Sequence, residues 1–114
     1  MKLATATMIA ILAMAPVARA EEKFSANSLT AGCRTPSTAS HYDQGLCTGT
    51  VAGLLILVPV IAHAPGERFC PPLQATVGQA MQIAVRYIDA RPARWHEMFV
   101  DLALEAFREA WPCR

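Results

Sequence analysis

The chain has 114 residues with ten Lys or Arg, nine Asp or Glu and three His, giving a formal net charge of +1; 54% of the residues are hydrophobic. That balance, with no basic cluster, gives no support for nucleic-acid binding. A length of this order holds one domain and is too short for two.

In chain order, the first element is "MKLATATMIAILAMAPVARA". Lys2 gives a positive start, residues 3–15 are apolar, Pro16 breaks the run, and Ala18-Arg19-Ala20 puts small residues where a signal peptidase inspects. This is the pattern of a secretory signal peptide over residues 1–20, cut after Ala20. The expected exported domain is then residues 21–114. A domain that small buries only about 60–65% of its unfolded surface, so covalent constraints would help it. All four cysteines, Cys33, Cys47, Cys70 and Cys113, follow the leader. An even number in a small exported chain reads as two disulfides. No C-x-x-C pair is present and the histidines are scattered, so zinc is not expected.

Residues 21–23 form a charged leader. "FSANSLTAGC" reads as a short helix ending near Gly32, with Phe24 and Leu29 as apolar contacts, and "RTPSTASHYDQG" reads as a loop. A second helix is expected from Asp43 or Gln44, carrying an apolar run over residues 51–62. The run is shorter than the ~20 residues of a spanning helix, Pro59 interrupts it, and cysteines flank it. It is therefore expected to be a buried core helix that does not span a membrane, with residues 54–61 inside the bundle. Gly49 and Gly53, four apart, would admit a neighbouring backbone, and Pro59 would kink or end the helix.

"APGERFCPPLQA" is a second connector. "TVGQAMQIAVRYIDARP" is the clearest helix: Thr76 and Gln79 have capping-box spacing, and Val77, Ala80, Met81, Ala84, Val85 and Ile88 form one stripe. A last helix is expected from about Pro92, with Trp95, Phe99, Leu102, Ala106 and Ala110 inward and Asp101, Glu105, Arg108 and Glu109 in water. The fold class is all-α, a bundle of about four helices stapled by two disulfides.

No catalytic residue is assigned. His96-Glu97 lacks the second histidine of a zinc-protease helix, and there is no G-x-S-x-G, phosphate loop or spaced carboxylate pair. No cofactor or metal is expected.

Cys47 with Gly49 and Gly53, Phe69-Cys70 with Pro72, Gly78-Gln79, Tyr87-Ile88, Pro92, His96 and Trp111-Pro112-Cys113 follow one another in an order that resembles the Rap1a/Tai family of type VI secretion immunity proteins. The upstream "NSLTAGC" fits that family's first helix, and the resemblance covers nearly the whole exported chain. Thr50-Val51 stand where the family usually has an aromatic residue, and the helix stays apolar through Leu57 where an acidic residue is frequent. The resemblance implies a small helical periplasmic protein that binds and inhibits a peptidoglycan amidase effector. The alternative from another class is a periplasmic holding chaperone or stress protein. A homodimer is left open.

Cys33–Cys47 would tie the short helix to the core helix, and Cys70–Cys113 would tie the last helix to the second connector; the other two pairings stay open. Partner contacts are expected in the loop at 37–44 and in the connector at 63–69, chiefly His63, Glu67 and Arg68, where exposed polar groups on a rigid scaffold could meet the rim of an amidase cleft.

Overall fold

A computed structural model describes residues 22–36 and 38–114. The expected signal peptide lies outside the described residues. Four α-helices follow in order: α1 Ala26–Cys33, α2 His41–Ile61, α3 Val77–Asp89 and α4 Phe99–Ala110, with short 3-10 turns at Pro65–Glu67 and Pro92–Arg94. Among the described residues there is no strand, only one isolated antiparallel bridge between Ser25 and Met98.

The shortest helix lies at the centre. α1 packs against α2, α3 and α4, and Ala26, Leu29, Thr30, Gly32 and Cys33 are buried. A helix start leaves its first N–H groups without partners inside the helix. Ser25 supplies one acceptor, taking a bond from the Ser28 N–H at 3.3 Å. The carbonyls of Glu97 and Trp95 accept from the N–H groups of Ala26 and Asn27 at 2.8 and 3.0 Å. The chain before α4 thus caps α1.

Both disulfides follow the expected pairing. Cys33–Cys47 joins the end of α1 to α2, and Cys70–Cys113 closes the connector onto the C-terminus. The close-packing glycine is not where it was expected. A Cβ at Gly49 or Gly53 would meet nothing within 4 Å, whereas one at Gly32 would overlap the Asp43 carbonyl. The tight crossing is therefore α1 on the first turn of α2.

α2 corrects two further expectations. It begins at His41, capped by Ser40, whose Oγ accepts from the Asp43 N–H at 3.2 Å. It then runs through Pro59 to Ile61, giving 21 residues of mean hydropathy 1.9, long and apolar enough to cross a membrane. Only Cys47 and Val51 are buried in it. Leu54, Leu55 and Val58 pack partly against the core. Ile56, Leu57, Val60 and Ile61 are 68%, 56%, 74% and 60% exposed, so residues 54–61 are not a buried segment. The reason is length: α1 spans about 12 Å and α2 about 31 Å at 1.5 Å per residue, so α1 covers only the first part of α2.

α3 has its expected cap and stripe. Thr76 Oγ1 accepts from the Gln79 N–H at 3.1 Å, and Ala80, Ala84, Val85 and Ile88 are buried. The last helix begins later than Pro92. Pro92–Arg94 is a separate 3-10 turn, after which Trp95 turns its indole N–H back to the Ile88 carbonyl at 2.7 Å. The same carbonyl, at the end of α3, also accepts from the Arg91 N–H at 2.9 Å. Met98 is extended and bridged to Ser25, and the Phe99 N–H bonds the Phe24 carbonyl at 2.9 Å. Only then can α4 start. Its inward residues are Phe99, Leu102, Ala103, Ala106 and Phe107; Ala110 is exposed, so Phe107 takes the place expected of it.

Candidate partner-binding surface

The connector at 63–69 leaves the end of α2, makes the Pro65–Glu67 turn, and re-enters the core at Phe69. Phe69 is fully buried against Phe107 with ring centroids 5.3 Å apart, and Phe107 stacks on Trp111 at 5.8 Å. Next to it the Cys70 N–H bonds the Trp111 carbonyl at 2.8 Å, beside the Cys70–Cys113 bridge. From α4, Arg108 donates through Nη1 to the Gly66 carbonyl at 3.1 Å and through Nε to the Leu104 carbonyl at 3.2 Å. The connector is thereby held at its turn and at its exit.

His63, Glu67 and Arg68 are all exposed on this segment. Among the described residues no ion pair engages Glu67 or Arg68. Glu67 forms one wall of an open groove of about 370 Å³ whose other walls are Val58, Ile61, Ala62, Leu104 and Arg108. Glu67 and Arg108 thus bring both signs of charge to a lining that is otherwise apolar. His63 and Arg68 do not line the groove.

The other segment expected to carry contacts, residues 37–44, is a loop only in part. Ser37 lies outside the described residues, Ser40 is the cap of α2, and His41 to Gln44 form its first turn. Asp43 and Gln44 bond back to Ser40 and Ala39, at 2.7 and 2.9 Å. Tyr42 projects outward with the Lys23 ammonium 4.7 Å from its ring centre.

Glu105, expected in water, is instead tied into a charged cluster. Arg94 reaches Glu97 at 2.6 Å and Glu105 at 2.7 Å. Tyr87 donates its hydroxyl to the same Glu105 at 2.7 Å, and the Arg91 guanidinium stacks 3.5 Å above the Tyr87 ring. The Arg94 bonds, with that of Tyr87, hold the Glu105 carboxyl down at about 2, and the Arg94 bond lowers Glu97 as well. The Glu105 bond raises Tyr87. These shifts keep the carboxylates ionised, the reverse of what a general acid requires. The cluster clamps the Pro92–Arg94 turn to α3 and α4. Its links to Glu105, from Arg94 and Tyr87, span 11 and 18 positions, which no local pattern reveals; Arg94–Glu97 is a local pair. A second clamp, Arg34 with Asp89 at 2.8 Å, joins α1 to the end of α3 across 55 positions. Among the described residues no group of His, Cys, Asp and Glu could hold a metal ion.

The class defined by these features is a small all-α domain locked by two disulfides and two charged clamps, with an open apolar groove and a rigid exposed connector suited to docking a protein. The family model for Rap1a immunity proteins matches residues 25–113, and the chain belongs to that family. It is an immunity protein, of a kind that binds a protein effector. Comparison with curated proteins and with solved structures found no match.

Proposed function

We propose that the protein is a periplasmic immunity protein that binds a peptidoglycan amidase effector of type VI secretion and inhibits it by covering the mouth of its active-site cleft. The family match over residues 25–113 carries this reading. The leader at residues 1–20 and the two disulfides favour an oxidising compartment outside the cytoplasm. The cap supplies shape and charge and no reacting group, and needs no cofactor.

The contacts are assigned to His63, Glu67 and Arg68, with the neighbouring groove receiving an apolar side chain of the effector. A connector fixed by Arg108, Phe69 and Cys70 loses little freedom on docking, which favours affinity. α2 is read as a helix of the water-soluble domain, because Cys47 and Val51 in its first half are buried and Cys33–Cys47 bonds it to α1.

Titration of a matching amidase on purified peptidoglycan tests the assignment. The wild-type protein should abolish activity at one molecule per active site. Glu67→Arg with Arg68→Glu should weaken inhibition at least about tenfold, since a few residues carry most of an interface's energy. Unchanged inhibition would remove the connector from the interface, and any covalent change in the amidase would reject occlusion.

A further inference from the structure

The two disulfides differ in what can reach them. Cys33 and Cys47 are both fully buried, joining α1 to α2. Cys70 and Cys113 are both exposed and both lie outside the helices, Cys70 after the connector and Cys113 beyond the end of α4. Exchange of a disulfide begins with attack of a thiolate on one of its sulfurs, so a bridge enclosed by packed helices is protected while the fold persists. Arg68 and Arg114 are close sequence neighbours of the exposed pair. Positive charge beside a cysteine favours the thiolate, the form that leaves when such a bridge opens.

From this we infer that Cys70–Cys113 is a thiol–disulfide exchange site of the folded protein, opened by a dithiol reductant and closed by a disulfide oxidant, while Cys33–Cys47 stays shut. In opening, one thiolate of the dithiol attacks a sulfur of the bridge. The other cysteine leaves as a thiolate and takes up a proton, and a mixed disulfide forms. The second thiol of the reductant, deprotonated in turn, attacks that mixed disulfide and releases the remaining cysteine. The reductant departs as its own disulfide, and two electrons and two protons have passed to Cys70 and Cys113. Closure is the reverse.

The fold around the exposed bridge survives its opening. Phe69 remains buried against Phe107, the Cys70 N–H remains bonded to the Trp111 carbonyl, and the Trp111 N–H to that of Phe107. None of these contacts passes through the sulfurs. Opening Cys33–Cys47 instead requires α1 to part from α2, where Gly32 packs on the Asp43 carbonyl. Access therefore sets the order, although Cys70–Cys113 closes the longer loop. Opening also bears on inhibition, a consequence that rests on the amidase reading and its assignment of contacts to the connector. With the bridge open the connector loses its covalent hold, so His63, Glu67 and Arg68 give up more freedom on docking.

Dithiothreitol added to the processed protein under native conditions, with timed alkylation and peptide mass mapping, tests the site. A species should accumulate with Cys70 and Cys113 alkylated, Cys33–Cys47 intact and the helical circular-dichroism signal unchanged. Cys70→Ser/Cys113→Ser should fold with the same helical signal and release no thiol during that treatment. Release of all four thiols together, first release from Cys33 and Cys47, or loss of helix in the one-bridge species would each overturn the proposal. Against a matching amidase the one-bridge species should inhibit at least about fivefold more weakly than the oxidised protein. Equal inhibition by the two forms would overturn the coupling to the connector. An oxidised protein that does not inhibit at all would reject the amidase reading, whereas the order of alkylation is read without the amidase.

Discussion

Gly32 is the residue on which the α1–α2 crossing depends. A methyl group there would overlap the Asp43 carbonyl, which is backbone in a capped helix turn and cannot swing aside. Gly32→Ala should therefore destabilise the domain by about 1–3 kcal/mol, the usual cost of overpacking, seen as a lower urea midpoint. Gly49→Ala faces open space, so the folded state of the isolated molecule should gain from the better helix propensity, by up to about 1 kcal/mol. Sequence spacing drew attention to Gly49 and Gly53 because glycines four apart share a helix face. What it could not show is which face the core occupies, and that depends on Cys47 and Val51.

Glu105 gives the residue scale its pH dependence. Its carboxyl titrates near 4.5 when unperturbed and near about 2 in the fold, where Arg94 and Tyr87 hold it ionised. The folded state thus binds fewer protons in that interval. The stabilisation is fully present above 4.5 and is lost as pH falls toward 2. Glu105→Gln should flatten the dependence of the urea midpoint on pH across that interval. A residual slope should remain from Glu97 and Asp89, which Arg94 and Arg34 also lower. An unaltered slope would show that the clamp does not form in solution.

Among the elements, α2 separates what hydrophobicity reveals from what it hides. Its existence was legible, as were its approximate start and the apolar run. Its orientation was not, because a stretch apolar on all sides has no stripe to point at the core. α3 shows the contrast: its period reads directly from Val77 to Ile88, and the buried set agrees. The start of α4 misled for another reason. Pro92 is a good first helical residue, but the tertiary bridge between Ser25 and Met98 claims the backbone before the helix can form. The contrast within α2 is testable by far-ultraviolet circular dichroism. Val51→Asp puts a carboxylate into the core, at a cost of several kcal/mol, and should unfold the domain. Leu57→Asp is at an exposed position and should leave the helical signal intact.

At the scale of the whole molecule, two bridges hold what a small core holds weakly. Cys33–Cys47 and Cys70–Cys113 close loops with sequence separations of 14 and 43. In the chain-entropy account such loops contribute about 3 and 4 kcal/mol. That is comparable with the ~5–15 kcal/mol of a whole domain. Full reduction should accordingly lower the thermal midpoint sharply, with Cys70→Ser/Cys113→Ser costing more than Cys33→Ser/Cys47→Ser. The all-α class was legible from the helical spacing of apolar residues, whereas the cysteine pairing found was expected with two others still open. The clamps at Arg94 and Arg34 were not, because only the folded chain brings their partners together.

The proposal at this scale is that this immunity protein protects by binding an amidase outside the cytoplasm. Its most direct test is survival. A matching peptidoglycan amidase effector, directed to the periplasm of a host, should lyse the cells through peptidoglycan cleavage. Co-production of this protein with its leader should restore growth, and the amidase should be recovered intact in complex with it. Lysis that proceeds unchanged while folded, disulfide-bonded protein accumulates in the same compartment would contradict the account.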